Sequence, residues 1–430
     1  MTLNPSLAPE RARQYRLDSP LKFDIQSGAF KRDPFPTFAA MIAAGPVIPI
    51  KLALLGKAWA TTSHEAALAM VKDNDLFVQE GRHAGKPGVV GGMQWWMPRS
   101  LRPLTNSMLL KDEPDHRRLR KLVDRAFARR DVLAMRDNIE KIADRLLDSL
   151  AGRETVDLAA DYARRLPMAV ICDLLGVPEE DRDAFSEWTR AALTMKNALG
   201  MFRAMGSLDK MIGYVRELIT RTRVNPRPGL ISELIKDEED GDKLDENELL
   251  SMVALLLVAG FETTTHLIGD CVIALEQHPE QKAWLMADPA GRMEQAVEEL
   301  ARWSSPVQST KPRYVARDAE FFGQKLHRGD QIIAYLGSAN ADPAVFDRPD
   351  QLVLDRFPNP HLVFSSGIHF CLGMQLARVE AQSGLARLYE RYPHLAIPPA
   401  DQIAWIEQFG LRGVKSLPVR LEPSPARLAA

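Results

Sequence analysis

The sequence predicts a mainly α-helical chain with a smaller β-rich portion towards its C-terminal end. Over residues 114–150, 155–225 and 244–281, apolar side chains recur every three or four positions, the period of helices with a buried face. Beyond residue 305 the pattern changes to short pieces such as AEFFGQKLHRGDQIIAYLG and IAWIEQFGLRGVKSLPVRL, where turn signals separate strand-like runs. The chain has 430 residues, 46% hydrophobic and 26% charged, enough to bury a large core. No repeat, low-complexity tract or linker divides it.

The elements follow in order. Residues 1–32 read as an N-terminal extension, 33–422 as one domain and 423–430 as a tail. The first amphipathic block, PDHRRLRKLVDRAFARRDVLAMRDNIEKIADRLLDSL, is followed by a second over 155–225, which NPRPG must end because two prolines and a glycine cannot continue a helix. The third, LDENELLSMVALLLVAGFETTTHLIGDCVIALEQHPEQ, is the longest. Asp245 and Glu248 are spaced as a capping pair, and His278-Pro279 closes it. About 30 residues at roughly 1.5 Å each would cross the whole protein, and the middle is apolar nearly all round, so this helix should be buried. The last helix is expected over MQLARVEAQSGLARLYERY.

Composition excludes several roles. A net charge of -2 gives no global attraction to nucleic acid or anionic lipid. The N-terminus carries charge and proline where a signal peptide needs an apolar run, and MVALLLVAGF is far short of the roughly 20 residues that span a bilayer, so no membrane anchor is expected. Cys172, Cys271 and Cys371 lie far apart with no CxxC pair, which argues for a reducing, cytoplasmic setting without disulfides.

The stretch FSSGIHFCLGMQLARVEAQ concentrates the chemistry. A lone cysteine among apolar residues is ordinarily a small core side chain. Here Gly367 and Gly373 flank Cys371 and allow close backbone approach, and the helix that follows places the sulfur near a helix N-terminus, where backbone N–H groups favour a thiolate. Zinc would need more ligands than His369 nearby. A single thiolate suits haem iron.

Phe364, Gly367, Cys371 and Gly373 meet Phe-x-x-Gly-x-x-x-Cys-x-Gly, and the stretch resembles the haem-binding loop of the cytochrome P-450 family. His369 and Ala377 are also usual in bacterial members, whereas Ser365 stands where many carry glycine. AGFETT in the long helix resembles the family's oxygen-site motif through Ala259, Gly260, Glu262 and Thr263. Taken alone, that segment is equally a packing glycine beside a paired glutamate. Glu299 and Arg302 in EELARW, completed by Arg356 in VLDRF, resemble the family's structural Glu-x-x-Arg element.

The resemblance runs from about residue 33 to LPVRL and implies a cytochrome P-450 fold holding haem b. It implies Cys371 as axial ligand, with Phe364 and Gly373 in the haem loop. His116, Arg120, Arg313 and His369 are implied as propionate contacts, His116 and Arg120 lying one helical turn apart. Glu262 would relay protons and Thr263 would hold dioxygen. Leu255, Ala259, Val307 and Trp96 would wall a site for a small, largely apolar organic substrate. The implied activity is monooxygenation with O2, fed by a separate ferredoxin and an NAD(P)H-dependent ferredoxin reductase. Arg117, Arg118, Lys121 and Arg125 are expected to form the ferredoxin's docking face. A peroxygenase of the same fold and a haem sensor that never turns over are the rival readings.

Overall fold

The long helix expected from residue 244 onward runs over Glu246–Gln277, and the rest of the molecule is arranged about it. Asp245 accepts from Glu248 N at 2.8 Å and the Glu248 carboxylate accepts from Asp245 N at 2.9 Å, so the capping pair read from sequence is formed. Helices Arg165–Leu175, Ala198–Val224, Pro289–Ser304 and Met374–Arg391 pack around it, and the largest apolar cluster fills the spaces between them. The helix is long and apolar enough to cross a bilayer, but most of that span is buried within the protein, which makes it a core helix. This computed structural model describes residues 14–422 apart from 53–55, 87–98, 129–133, 183, 186, 189–197 and 238–243.

The expected block over 114–150 resolves into two helices, Asp115–Ala128 and Arg136–Asp148. The block over 155–225 begins differently from its expectation. Thr155–Asp157 is a short strand paired antiparallel with Pro418–Arg420, a partner some 260 residues away in sequence that local periodicity does not reveal. A short π-helical stretch, Ala159–Ala163, then leads into Arg165–Leu175.

The largest sheet draws on both ends of the chain. Val47–Leu52 pairs antiparallel with Gly56–Thr61, which runs parallel to Gln331–Ala334; that strand pairs antiparallel with Arg313–Val315, and Phe77–Val78 forms the far edge. Three of its five strands therefore precede residue 80, where the sequence pattern offered no alternation. Val47–Leu52 is buried at five of six positions, so it reads as a continuous apolar run and not as an in-out strand.

Residues 15–32, within the expected N-terminal extension, lie against this sheet and the core. Leu21 bridges Ile50, Tyr15 Oη donates to Ala44 O at 2.8 Å, and Phe30 and Lys31 are buried. The expected tail, 423–430, lies outside the described residues.

Candidate active site

The loop before Met374–Arg391 is built from backbone constraints. Cys371 N donates to Phe364 O at 3.0 Å, Phe370 N to Gly367 O at 3.1 Å and Ser365 N to Leu362 O at 2.9 Å, which folds Phe364–Cys371 into a tight hairpin-like turn. Gly367 has φ +72°, and a Cβ there would lie 2.5 Å from Val71 O. No other residue fits that approach without moving the helix His64–Lys72. Ser365 also takes a left-handed backbone, φ 58°, which explains why glycine is usual at its position and marks the serine as strained. A Cβ on Gly373 would meet no atom within 4 Å.

Cys371 is reached by solvent whereas Cys172 and Cys271 are buried. Protein nevertheless surrounds it, and burial pushes its thiol above the ordinary value against the Gly373 N–H, Arg120 and Arg378, which pull it down. The helix N-terminus thus pulls towards the thiolate as expected, against the burial of the sulfur. The helix N-terminus contributes, but desolvation outweighs it, and a coordinated metal ion is what would deprotonate this sulfur.

Basic groups converge beside the loop. The His116 and His369 rings meet edge to face with centroids 4.4 Å apart, and Arg120 Nη1 donates to Phe370 O at 2.7 Å while its Nε pairs with Asp124. Burial, then Arg313, His116, Arg120 and Lys311 in that order, lower the His369 pKa to about 3. His116 is lowered by burial, with Arg120 and Arg313 adding and Glu113 opposing, and burial brings Arg313 down to about 10. The nearby Asp112 is occupied: it accepts from Gln79 N, Glu80 N and His83 Nδ1. Lys311 was not among the cations expected here. It lies two residues before Arg313 in an extended segment, so the two share a face, and that spacing was the available signal.

On the long helix Leu255, Ala259 and Thr263 are spaced i, i+4, i+8 and so aligned on one face; all three are at least partly accessible, as are Val258, Gly260 and Glu262 between them. Thr263 Oγ1 donates to Ala259 O at 3.0 Å, which commits its proton and leaves its lone pairs to accept. Burial raises the Glu262 carboxyl, but the contact with His266, whose Nε2 is 3.2 Å from Oε1, together with Arg164 outweighs it, and the net shift is downward. A Cβ on Gly260 would fall 2.8 Å from Ile171 Cδ1, so this glycine serves close packing against Arg165–Leu175.

A family model described as cytochrome P450 matches residues 292–418. The vitamin D(3) 25-hydroxylase of Pseudonocardia autotrophica is 39% identical over 94% of this chain and 97% of its own length. The chain belongs to the cytochrome P450 family. Among solved structures, the polyketide-synthase cytochrome P450 PksS of Bacillus subtilis superposes with a TM-score of 0.84 at 36% identity, covering 93% of this chain and 100% of that one. A myxobacterial cytochrome P450 in complex with myristic acid gives 0.85 at 36% identity, covering 93% and 99%.

The P450 is therefore a haem b enzyme of the monooxygenase class. Its residues fit the group. His116 Nδ1 and Arg313 Nε are buried without a hydrogen-bond partner, and the cations around them lack enough free carboxylates, a donor set that calls for the two propionates. Cys371 could ligate the iron, with His116, Arg120, Lys311, Arg313 and His369 holding the propionate edge.

The Glu299, Arg302 and Arg356 side chains of this P450 come together as expected. Glu299 accepts from Arg302 Nε at 2.7 Å and Nη2 at 2.8 Å, from Arg356 Nε at 3.1 Å, from Asn359 Nδ2 at 3.1 Å and from Val353 N at 3.2 Å. Arg302 in turn donates to the carbonyls of Asn340 and Pro349, so the network pins the segment that leads into the Cys371 loop. Val307, expected to wall the substrate site, lies in a segment paired with residues 410–412. Gln308 N donates to Gly410 O and Arg412 N to Pro306 O, each at 2.8 Å, with Val307 opposite Leu411. Trp96 lies outside the described residues.

Proposed function

We propose that this P450 inserts one atom of O2 into a largely apolar small organic substrate, with two electrons drawn from NAD(P)H through a separate ferredoxin and ferredoxin reductase. The observation that carries the substrate class is the accessible face of the long helix. Leu255 and Ala259 offer only hydrocarbon there, and Thr263 adds a single hydroxyl. Such a wall retains an apolar molecule by excluding water, and few polar groups set its orientation. The relatives support this reading: one is named for vitamin D(3), and one structure holds myristic acid.

When bound, haem supplies the oxygen-activating chemistry, the Cys371 thiolate pushing electron density towards O–O cleavage. The chain's own groups do the rest. His116, Arg120, Lys311, Arg313 and His369 hold the propionates, while Thr263 Oγ accepts a hydrogen bond in the chamber and Glu262 carries protons to it. The balance is one O2, two electrons, two protons and one substrate C–H bond, giving one C–OH and one water.

The ferredoxin docks on the outer side of Asp115–Ala128, where Arg117 and Lys121 are exposed near Phe370. Arg118, expected on the same face, turns away and pairs with Glu248 of the long helix. Three free cysteines accord with a cytoplasmic location.

The experiment is a spectral screen of apolar acids and sterol-like molecules against the purified protein, followed by product analysis with a surrogate ferredoxin, its reductase and NADPH. Oxygenated product that requires all three supports the reading. Product formed equally well from hydrogen peroxide alone would make the protein a peroxygenase, and tight binding without product under either condition would make it a ligand-binding protein. Thr263→Ala should keep substrate binding but divert electrons into peroxide, and an unchanged product yield per NADPH would refute the role given to the hydroxyl.

A further inference from the structure

Two of the buried polar networks among the described residues differ in kind. Around Glu299, five donor contacts converge on one carboxylate and satisfy it. The other follows the long helix away from Glu262 and is left short of partners.

His266 and Asp270 succeed Glu262 at i+4 and i+8, so the three share one helix face. His266 Nε2 stands 3.2 Å from Glu262 Oε1, at ion-pair distance but without hydrogen-bond alignment. The ring is buried, and neither nitrogen has an aligned partner among the described residues. It is held by packing: a Cβ on Gly413 would fall 2.1 Å from His266 Nδ1. Asp270, also buried, has Arg412 Nη1 3.5 Å from Oδ2 and no partner on Oδ1. Arg412 is fixed by Lys31 O at 2.8 Å and Ser304 O at 3.1 Å. Lys31, fully buried, donates to Gln308 Oε1 at 2.8 Å, and the Gln308 Nε2 is again without a partner.

Leaving this many buried polar atoms unpaired destabilises a fold, and apolar side chains of the same size would serve packing better. The Glu299 carboxylate is fully engaged by donors, whereas the Glu262–His266–Asp270 face keeps buried polar atoms free for exchange, an arrangement suited to chemistry. Its inner end touches the carboxylate to which proton transfer has been assigned, and its outer end comes under the exposed carboxylates Asp24 and Asp33, whose charges act on Lys31 and Arg412 respectively.

We propose that His266 is the positioning residue that returns a proton to Glu262 in each turnover, drawing on Asp270 and Lys31 as the buried reserve behind it. This rests on the reading of Glu262 as the proton carrier. The step moves one proton and no electrons: an Nε2–H bond of the ring breaks, the O–H bond at Glu262 Oε1 forms, and the proton lost from the ring is restored from the side of Asp270, one helical turn further on.

The surrounding groups suit the transfer. Burial raises Asp270 to about 6 against the pull of Arg412, His266 and Lys31, and burial followed by Arg412 lowers Lys31 to about 7 against Asp270 and Asp24. Both therefore change protonation near neutrality, where an ordinary aspartate or lysine does not. Cys271 on the same helix is raised by burial and stays a thiol, Arg412 stays charged, and Arg164 helps hold Glu262 as the anion that receives the proton.

The test uses the haem-loaded full chain as wild type, His266→Gln, Asp270→Asn and Glu262→Gln. In the ferrous carbon monoxide form, difference infrared spectra follow the Glu262 carboxyl band, which the Glu262→Gln variant assigns. Because His266 lowers this carboxyl, its removal should let the acid band persist to higher pH. NADPH-driven turnover of His266→Gln should fall about tenfold or more above neutrality and less at acid pH, where bulk protons substitute, while the spectral response to substrate is unchanged. Wild-type turnover with the same pH profile and the same infrared titration would overturn the proposal. Should His266→Gln fail to keep haem, Asp270→Asn decides: a pH profile displaced to the acid side supports the relay, and an unchanged profile with only lower thermal stability refutes it. A Glu262→Gln variant as fast as wild type would instead remove the underlying role of Glu262, whereas a slow one beside a normal His266→Gln removes only the relay.

Discussion

Replacing Glu299 by glutamine keeps the shape of the side chain and removes the one charge that two guanidinium groups share. The carboxylate is fully buried, Arg302 is buried with it and Arg356 nearly so. After the change two cations remain in a dry site with a single neutral acceptor between them, and breaking a buried pair from one side costs about 3–5 kcal/mol. Unfolding entropy of about 2.1 cal/mol/K per residue, applied to the length of this chain, converts that cost to a fall of roughly 4 °C in the unfolding midpoint. The same network holds the carbonyls of Asn340, Pro349 and Gln351, and Asn340 Oδ1 accepts from Leu362 N at 2.7 Å just before the Cys371 loop. Glu299→Gln should therefore also release haem faster. Circular dichroism melting and transfer of haem to an acceptor globin read the two effects. A midpoint within about 1 °C of wild type, roughly a quarter of the expected shift, with an unchanged rate of haem loss, would refute the argument.

Gly367→Ala should cost about 2 kcal/mol or more in stability and weaken haem retention, since φ +72° is strained for alanine and its Cβ would press on Val71 O; denaturant midpoints measure the loss. Glu298 is raised by burial but pulled down further by His361 and Arg378, to about 2, so its contribution is present above pH 4.5 and is lost as pH falls from there to about 2. That slope is worth at most about 3 kcal/mol, and urea titrations across this pH range should find it flattened in Glu298→Gln. Reversing Arg117 and Lys121 to glutamate should slow electron transfer from an acidic ferredoxin at low salt and abolish most of its salt dependence, as stopped-flow reduction would show. Equal low-salt rates would exclude this face as the docking site.

What the sequence carried plainly was local. The long helix announced both ends, because a capping pair and a His-Pro stop act within a few residues of themselves. The cysteine loop was legible for a similar reason: its glycines answer to backbone geometry that tolerates little else, and Gly367 meets that requirement at Val71 O. Partnerships across long separations were not visible. Thr155–Asp157 is a strand only because Pro418–Arg420 lies beside it, and Val47–Leu52 hides its period because both of its faces are covered. For Cys371 the helix terminus could be read from neighbouring residues, whereas desolvation, which opposes it, depends on everything folded around the sulfur. His266 stands one turn from Glu262 on the same helix, a spacing the sequence does show, but its burial and the effect of Lys311 on His369 depend on packing that the sequence does not.

The long helix divides its surface in a way that bears on how such an enzyme diversifies. Most of its side chains anchor the core, where truncating one large apolar group commonly costs 2–5 kcal/mol. Ala259 is exposed and stands apart from that duty, and Leu255 is half-buried at the edge of the core cluster. If these two wall the substrate chamber as proposed, exchanging them for larger or smaller residues would reshape it while the fully buried faces stay untouched, so new substrate ranges could be explored by mutation at little cost in stability. Descendants of this chain can therefore drift in what they oxidise faster than they drift in fold.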